Sequence, residues 1–332
     1  MIGRILLKLL FLGSLLGILY CGGTGYYISP ISFLQRPMIW LELVSKYKGT
    51  HLQSPNFAFK LTARKFDKEK YSKSDIDLSS VKHIINAAEP IDEESINLFK
   101  NTFCPYGLSP NCIFPTYGLA EHTVFVCSGG KQILSVDKSA LEMEDKAVVV
   151  KNNNTDTRIT RVVGCGYPSD QNVDVQIVNT ESLKIEGEET VGEIWVNSPS
   201  KAAGYFNMPE KTKKDFFAIP ESSSNEYLRT GDLGFMINGE LFICGRLKDL
   251  IIVAGRNHFP QDLETSCENA TNELRPGCSC AFSITKETGG EEVFIVCELR
   301  ELPSSKVSYS KTVTASNFLI CIYVPIHILY KI

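Results

Sequence analysis

The segment YLRTGDLG, Tyr227–Gly234, places an aspartate directly after a glycine. A carboxylate held in a tight turn can accept hydrogen bonds from two neighbouring hydroxyl groups, an arrangement that a ribose presents. Asp232 is therefore a candidate ligand of a nucleotide sugar. Downstream, Arg246 carries donors in a planar fork that suits the same sugar or a phosphate, and Gly245 allows close backbone approach. The alternative interpretation is a hairpin turn followed by a salt-bridged surface arginine.

A second candidate segment is PTYGLAE, Pro115–Glu121. Tyr117 can stack its ring on a flat base, and Gly118 allows the chain to pass close to that base. Glu121 offers the oxygen ligands that Mg²⁺ prefers. Taken singly, Tyr117 also fits a core aromatic residue, and Glu121 fits a carboxylate on a helix face. Together with the Asp232 segment, the pattern favours nucleotide binding.

The elements that position these residues alternate between strands and helices up to about Gly130. The residues from Val81 predict a buried strand that ends before Pro90. After a candidate N-cap at Asp92, apolar side chains recur at helical spacing, namely Ile96, Phe99 and Phe103. The segment CIFPTYGLAEHTVFV then predicts a strand, a loop, and a helix or second strand. This alternation is typical of a largely parallel sheet covered by helices.

The pattern becomes β-rich after the polar segment that begins at Lys151. Three apolar residues alternate with polar ones in NVDVQIVN, which predicts a half-buried strand; they are Val173, Val175 and Ile177. The runs GEIWVNS and ELFICG look similar, so we expect a small antiparallel sheet or barrel. After Gly245, the run DLIIVAG predicts a strand, and a helix is expected from Pro260 or Gln261. The chain therefore divides into three units in series.

The composition is that of an ordinary globular protein. The chain has 332 residues, of which 43% are hydrophobic and 22% are charged, and a net charge of -4 gives no reason to expect a nucleic-acid partner. The 11 cysteines show no CxxC pair and no zinc-like spacing, which favours reduced thiols in a cytoplasmic protein.

Both ends of the chain are apolar. The leucine-rich start could pass for a signal peptide with Arg4 as its positive flank, but Lys8 interrupts a run shorter than the ~20 residues of a spanning helix. The tail is also short, and Pro325 breaks it. We expect a buried helix and no firm membrane insertion; an N-terminal membrane anchor is the alternative.

Three further features favour ordinary structural roles. The lysine-rich run KLTARKFDKEKYSK, residues 60–73, predicts a solvated loop. The glycosylation sequons at Asn153 and Asn269 would matter only in a secreted protein. His122 and His258 are interpreted as structural rather than catalytic residues.

Five segments in this order resemble the core motifs of the acyl-adenylate-forming superfamily of AMP-dependent synthetases and ligases. They are NAAEP, PTYGLAE, GEIWVNSPSKAAGYFNMPE, YLRTGDLG and GRLKDLIIVAGRNHFPQDLE. The finer resemblance is to fatty acyl-AMP ligases and the adenylating domains of disco-interacting protein 2. It is carried by the segments SPISFLQRPMIWLELVSKYKGTHLQSPNFAF, YGLAEHTVFV and GRNHFPQDLE. The resemblance runs from about Leu19 to Glu301.

The resemblance implies part of an α/β acyl-adenylate-forming fold. Residues 1–149 would be the second half of the large α/β N-terminal domain, with a layered α/β arrangement. Residues 150–245 would form its β-rich, barrel-like subdomain. Residues 246–332 would begin the small α+β C-terminal domain, although residues 302–332 depart from the family pattern.

The resemblance also implies roles for single residues. The nucleotide-binding residues would be Ala87, Ala88, Glu89, Pro90, Tyr117, Gly118, Asp232 and Arg246. The residues bordering the acyl channel, with the Gly118–Leu119 strip beside it, would be Asn56, Phe57, Ala58, Phe59 and Leu119. Glu121 would bind Mg²⁺ and act in catalysis, and Lys248 would lie on the hinge about which the small domain rotates.

The activity implied is attack of a fatty acid carboxylate on the α-phosphorus of ATP, giving acyl-AMP and pyrophosphate, with later transfer to an acyl carrier protein or CoA. Two family features are absent from these 332 residues: the Ser/Thr- and Gly-rich phosphate loop and the C-terminal catalytic lysine. We therefore expect a fragment of a longer enzyme that catalyses poorly by itself. The alternative is a non-catalytic protein that binds acyl groups or nucleotides.

Overall fold

The computed structural model describes residues 15–72, 74–151, 158–221, 223–253, 256–285 and 291–300, and the backbone of residues 320–322. The chain forms two compact units. The first contains the residues up to Lys138 together with Ala147–Cys244, and the second contains Ser139–Lys146 together with the residues from Gly245 onward. The finer division into residues 1–149, 150–245 and 246–332 stays a prediction.

The helices of both units are short. In chain order they are α1 (Gly17–Cys21), α2 (Pro30–Gln35), α3 (Ile39–Tyr47), α4 (Asn56–Arg64), α5 (Glu93–Phe103), α6 (Lys138–Met143), α7 (Pro209–Phe216) and α8 (Pro260–Ala270). Among the described residues, none of these helices has the length and apolar content needed to cross a membrane. The predictions about residues 1–14, Asn153 and the tail around Pro325 lie outside the described residues. The described end of the N-terminal apolar segment forms α1, which has no buried residue, so the expected buried helix is wrong for this part.

A four-stranded sheet organises the first half of the first unit. Its strands lie in the order β1 (His51–Pro55), β2 (His83–Ala87), β3 (Ile113–Tyr117) and β4 (Cys127–Ser128). The first three strands are parallel and β4 is antiparallel to β3. The predicted parallel sheet with helices is confirmed, and the strand expected from Val81 begins at His83.

Helix α5 forms as the sequence predicts. The carboxylate of Asp92 accepts a hydrogen bond from the backbone N–H of Ser95 at 2.7 Å and so caps the first turn. The apolar face of α5 is buried in a cluster that includes Phe59. The Phe59 ring meets the Phe99 ring edge-on, with 5.0 Å between the ring centroids. The N-cap and the apolar stripe together fix where the helix begins and which face it buries.

Helix α4 corrects the prediction of a solvated loop only for the first part of the lysine-rich run, since residues 65–72 lie outside helices and strands and are mostly exposed. Residues 60–64 are helical, and Thr62 and Ala63 on the inner face are buried. The hydroxyl of Thr62 accepts a hydrogen bond from the indole N–H of Trp40 at 3.0 Å. The buried small residues Ala58 and Thr62 lie one turn apart on the inner face. On the outer face, Lys60 and Arg64 reach the exposed carboxylate of Glu94.

The β-rich part of the first unit is an open sheet of order β10-β9-β8-β7, with no closed barrel among the described residues. The strands are β7 (Asp174–Val178), β8 (Gly192–Asn197), β9 (Leu228–Ile237) and β10 (Glu240–Arg246). Strand β7 follows the predicted alternation in part: Val173, just before the strand, and Ile177 are buried and Asp174 is exposed, but Val175 and Gln176 are both half-buried and Val178 is buried. Asn238 and Gly239 join β9 to β10 with φ values of +51° and +74°, which suits a two-residue hairpin turn. A smaller two-stranded sheet pairs β5 (Ile133–Asp137) with β6 (Ile159–Val163).

The second unit contains α6, α8 and two small sheets. Strands β11 (Ile251–Val253) and β12 (Arg256–His258) are antiparallel, and a three-stranded sheet has the order β13 (Leu274–Thr285), β14 (Glu291–Leu299), β15 (Ile320–Ile322). The predicted strand and the predicted helix start at Pro260 are confirmed. Ala254 and Gly255 of the predicted strand lie outside the described residues.

Candidate nucleotide site

Tyr117 and Asp232 meet in the first unit. The phenolic hydroxyl of Tyr117, the last residue of β3, donates a hydrogen bond to Oδ2 of Asp232 in β9 at 2.6 Å. Each residue exposes only 8% of its surface. Burial, and then the neighbouring carboxylate, raise the pKa of Tyr117 well above its ordinary value. The phenol therefore stays protonated and acts as a fixed donor to the Asp232 carboxylate.

Asp232 lies in a β-bulge and not in the predicted tight turn. The register between β8 and β9 shifts at Ile194, where residues 230–232 of β9 face this single residue of β8. Gly231 has a φ of +71°, which the extra residues of a bulge require and which a glycine adopts without strain. A Gly-Asp pair signals positive φ but does not distinguish a turn from a bulge. The strand continues on both sides of Asp232, and its carboxylate is therefore held by a sheet.

The loop after β2 begins at the same sheet edge as Tyr117. Strands β2 and β3 are parallel neighbours, so Ala87 and Tyr117 both lie at carboxyl ends of strands, where ligands bind in open α/β sheets. Ala88 adopts a φ of +78°, and the Glu89 carboxylate accepts a hydrogen bond from the backbone N–H of Phe57 in the first turn of α4. Pro90 is exposed. The structure thus brings the NAAEP segment and Tyr117 to one edge.

The predicted acyl-channel residues lie at the start of α4. The Asn56 amide donates to Asp92 at 2.5 Å and its carbonyl oxygen accepts from Asn86 at 3.0 Å. The side chains of Ala58 and Phe59 are buried in the core. The remaining two predicted channel residues, Phe57 and Leu119, are half-buried. Their role at an acyl channel stays a prediction.

The backbone at Gly118 lies closer to another part of the chain, the Val124 carbonyl, than the sequence alone indicates. A Cβ at this position would overlap the backbone carbonyl of Val124, because the chain from Leu119 to Phe125 folds back over the end of β3. The glycine is therefore required by the protein's own loop. This loop carries Glu121 in a single 3₁₀ turn, Ala120–His122.

Glu121 is half-buried and its Oε1 accepts a hydrogen bond from the Tyr205 hydroxyl at 3.2 Å. Burial, followed by the charge of Glu121, raises the pKa of Tyr205 to about 12. In the part of the chain that the structure describes, no group of three His, Cys, Asp or Glu side chains could hold a metal ion. Mg²⁺ is commonly held by one or two carboxylates together with substrate phosphates. A single oriented carboxylate at Glu121 fits a Mg²⁺ shared with a nucleotide.

His122 binds protein groups through both ring nitrogens. Nδ1 lies 2.8 Å from the carbonyl oxygen of Phe125, and Nε2 lies 2.5 Å from the hydroxyl of Ser198. Burial lowers the pKa of this histidine. A neutral ring that donates from Nδ1 and accepts at Nε2 satisfies both contacts. These contacts agree with the structural interpretation of His122.

Arg246 and Lys248 belong to the second unit. Both are exposed, and Lys248 lies in the 3₁₀ turn Leu247–Asp249 that follows Arg246. The two compact units divide between Cys244 and Gly245, a few residues before this turn. A Cβ on Gly245 would lie 2.9 Å from the ring of Phe259, so the packing of this ring favours a glycine at position 245. The ribose contact of Arg246 and the hinge role of Lys248 stay predictions.

The sequence analysis missed Glu193, which lies in β8 beside the bulge. It is 2% exposed, and its Oε2 accepts hydrogen bonds from the Trp195 indole at 3.0 Å and from Nε and a terminal nitrogen of Arg229 at 3.0 and 2.7 Å. Its Oε1 accepts from the backbone N–H of Gly231 at 3.1 Å. A glutamate between apolar residues of GEIWV was the available signal, since a buried carboxylate needs partners.

Comparison with known proteins shows the family of this chain. The model of the family described as AMP-binding enzyme matches residues 9–206. The chain belongs to the AMP-binding enzyme family. Among its relatives, the medium-chain-fatty-acid–[acyl-carrier-protein] ligase JamA of Moorena producens (strain JHB) is 42% identical over 299 residues, which cover 89% of this chain and 49% of that protein.

Solved structures of the same family match the fold. A chain from a study of fatty acyl-adenylate ligases from E. coli and L. pneumophila has a TM-score of 0.77 and 29% identity, covering 90% of this chain and 51% of that chain. An L. pneumophila fatty acyl-adenylate ligase in complex with acyl adenylate and pyrophosphate has a TM-score of 0.65 and 36% identity, covering 84% of this chain and 48% of that chain. The chain thus spans about half the length of the curated relatives it matches. It resembles part of a fatty acyl-AMP or acyl carrier protein ligase.

Proposed function

We propose that this chain carries the nucleotide- and acyl-binding residues of an ATP-dependent fatty acyl-AMP ligase. The observation that carries the proposal is the 2.6 Å hydrogen bond between Tyr117 and Asp232. It joins an aromatic ring and a carboxylate from two distant motifs at the carboxyl edge of a parallel sheet. The names of the relatives, and the acyl adenylate held by the L. pneumophila ligase, support a fatty acid as the second substrate.

In this proposal, Asp232 accepts hydrogen bonds from the ribose hydroxyls. An ionised carboxylate has about four acceptor sites, and the Tyr117 hydroxyl takes one of them. The fixed phenol orients the carboxylate, while the Tyr117 ring stacks on adenine beside the Ala87–Pro90 loop. The family resemblance assigns Arg246 to the ribose as well, and its planar guanidinium fork suits that role. Base and sugar are then recognised by different atoms of neighbouring residues.

The proposed reaction joins the fatty acid to the nucleotide. A carboxylate oxygen of the fatty acid attacks the α-phosphorus of ATP, the new oxygen–phosphorus bond forms, and pyrophosphate leaves. Glu121 would hold Mg²⁺, which when bound neutralises phosphate charge. The chain's own residues mainly bind and orient the reactants, a contribution that can supply much of such a rate enhancement. The acyl group then passes to an acyl carrier protein or CoA.

The full reaction is proposed for a longer protein, because this chain spans about half of its relatives. That protein would add the Ser/Thr- and Gly-rich phosphate loop and the catalytic lysine, and Lys248 would lie at the hinge of its small domain. For the present chain, binding is the relevant activity.

Calorimetric titration with AMP, with GMP, and with a medium-chain acyl sulfamoyl-adenosine tests the proposal. We expect AMP to bind more tightly than GMP, and the acyl compound to bind more tightly than sulfamoyl-adenosine without an acyl group. Equal affinity for sulfamoyl-adenosine with and without the acyl group would contradict the fatty acid assignment. The absence of any adenine-nucleotide binding would contradict the nucleotide assignment.

A further inference from the structure

The bulge that carries Asp232 is held from β8 by a buried carboxylate. Glu193 Oε1 accepts the Gly231 backbone N–H at 3.1 Å, while Oε2 is held by Trp195 and Arg229. The Arg229 guanidinium also lies 5.2 Å from the centre of the Trp195 ring, which fixes its orientation. Because both carboxylate oxygens have partners, Glu193 cannot rotate without breaking several contacts. The backbone of Gly231, the residue before Asp232, is therefore hydrogen-bonded to a side chain that is itself held in place.

A hydroxyl group holds the bulge from within. Thr230 Oγ1 donates a hydrogen bond to the backbone carbonyl of Ile194 at 2.7 Å and accepts one from the backbone N–H of Asp232 at 3.0 Å. These are the groups that a regular ladder would have paired and that the bulge leaves unpaired. Gly231 between them has open space at its Cβ position, so backbone conformation and not crowding explains the glycine.

We propose that Thr230 and Glu193 are positioning residues that set the orientation of the Asp232 carboxylate toward its ligand. The inference rests on the proposed function, in which Asp232 binds ribose. Thr230 fixes the Asp232 backbone and Glu193 fixes the Gly231 backbone, so the side chain of Asp232 leaves the strand in one direction. The Tyr117 hydroxyl then selects the carboxylate rotamer. Neither positioning residue needs to touch the nucleotide.

A double-mutant cycle on the full chain tests this inference, with AMP as the probe and NMR titration as the measurement. Thr230→Val removes both hydroxyl contacts at almost constant shape and should weaken AMP binding about tenfold. Thr230→Ser keeps the hydroxyl and should restore binding. In an Asp232→Ala background, Thr230→Val should change the affinity by less than about twofold, because the residue acts through Asp232.

An equal loss of affinity in both backgrounds would overturn the inference, since Thr230 would then act independently of Asp232. Failure of Thr230→Ser to restore binding would also overturn it. Glu193→Gln provides a second variant, with Glu181→Gln as the same change at an exposed residue. We expect weaker AMP binding and faster amide exchange at Gly231 only for Glu193→Gln.

Amide hydrogen exchange separates this inference from the proposed function. Thr230→Val should speed exchange of the Asp232 amide proton in the absence of ligand, and Thr230→Ser should not. If the parent chain binds no AMP, the proposed function is contradicted, and the exchange rates alone then decide the positioning. Unchanged exchange at Asp232 in Thr230→Val would overturn the positioning whether or not AMP binds.

Discussion

Tyr117 donates its hydroxyl to Asp232 across 115 residues of sequence, and this bond joins the end of a parallel strand to a bulge in an antiparallel one. Both groups are buried, so a bond between them has little competition from water. The tyrosine ring belongs to a buried hydrophobic cluster, and its hydroxyl holds the carboxylate. The predictions about ligand binding and pH dependence start from this pair.

The first prediction concerns alkaline pH. The folded chain raises the pKa of Tyr117, so above about pH 10 the unfolded chain loses this proton while the folded chain keeps it. The free energy of unfolding should therefore fall as pH rises, with a slope of up to about 1.4 kcal/mol per pH unit from this residue. Tyr117→Phe should be less stable at neutral pH by roughly 1.5–3 kcal/mol and less sensitive to alkali.

Urea unfolding of the two proteins between about pH 8 and pH 11 measures this difference. Tyr20→Phe is the control, because it removes the hydroxyl of a tyrosine that is 93% exposed. Parallel pH curves for the parent and Tyr117→Phe would mean that the phenol does not keep its proton in the folded chain.

The second prediction concerns Gly118. Because a Cβ there would overlap the Val124 carbonyl, Gly118→Ala must displace the Leu119–Phe125 loop and should destabilise the protein by roughly 1–3 kcal/mol. Gly187→Ala is the matched control: it is exposed, has no atom within 4 Å of the added Cβ, and should change stability by less than about 0.5 kcal/mol. Thermal melting of both variants decides the matter, and equal melting temperatures would refute the close approach.

The third prediction concerns mild acid. Burial lowers the pKa of His122, so below its ordinary value of 6.5 the unfolded chain gains a proton that the folded chain does not. Unfolding free energy should therefore fall as pH decreases from about 7 to 5. His122→Gln removes this titration while its amide can still reach Phe125 and Ser198, so its stability should fall less steeply. The difference between the two curves isolates His122 from His83, whose pKa burial also lowers. A steeper fall in the variant would contradict the neutral, buried ring.

The fourth prediction concerns Arg246. Arg246→Lys keeps the charge but replaces a planar fork by a compact ammonium group, so AMP affinity should fall about tenfold. Little stability should be lost, because Arg246 is exposed. Arg256→Lys, at another exposed arginine of the same unit, is the control for calorimetric titration with AMP. Equal AMP affinities for the two variants would exclude Arg246 from the site.

Local signals in the sequence predicted local structure well. Asp92 with its apolar stripe specified α5, and alternation specified β7, because each signal lies within one element. The bulge at Gly231 was missed because it depends on β8, a strand more than thirty residues earlier whose register only the folded sheet defines. Glu193 was missed for the same reason.

The candidate site shows the same limit. Spacing along the chain identified Tyr117 and Asp232 as separate candidates, but not their hydrogen bond, since no periodicity connects two distant motifs. Gly118 was singled out for a close approach to a base, which stays a prediction, while the structure adds a requirement of its own, the Val124 carbonyl. Close approaches of this kind depend on loop closure, which residue types alone do not encode.

The most direct test of the account is the preference for ribose hydroxyls. Calorimetry should compare AMP with 2′,3′-dideoxy-AMP on the parent chain and on Asp232→Asn, with melting temperatures from the same samples. The asparagine keeps an acceptor for Tyr117, so the fold should survive, while one charge-assisted acceptor worth roughly 1.5–3 kcal/mol is lost. The parent should prefer AMP by about tenfold to a hundredfold, and Asp232→Asn should show little preference. An equal preference in both proteins, or none in the parent, would contradict the assignment of Asp232 to the ribose.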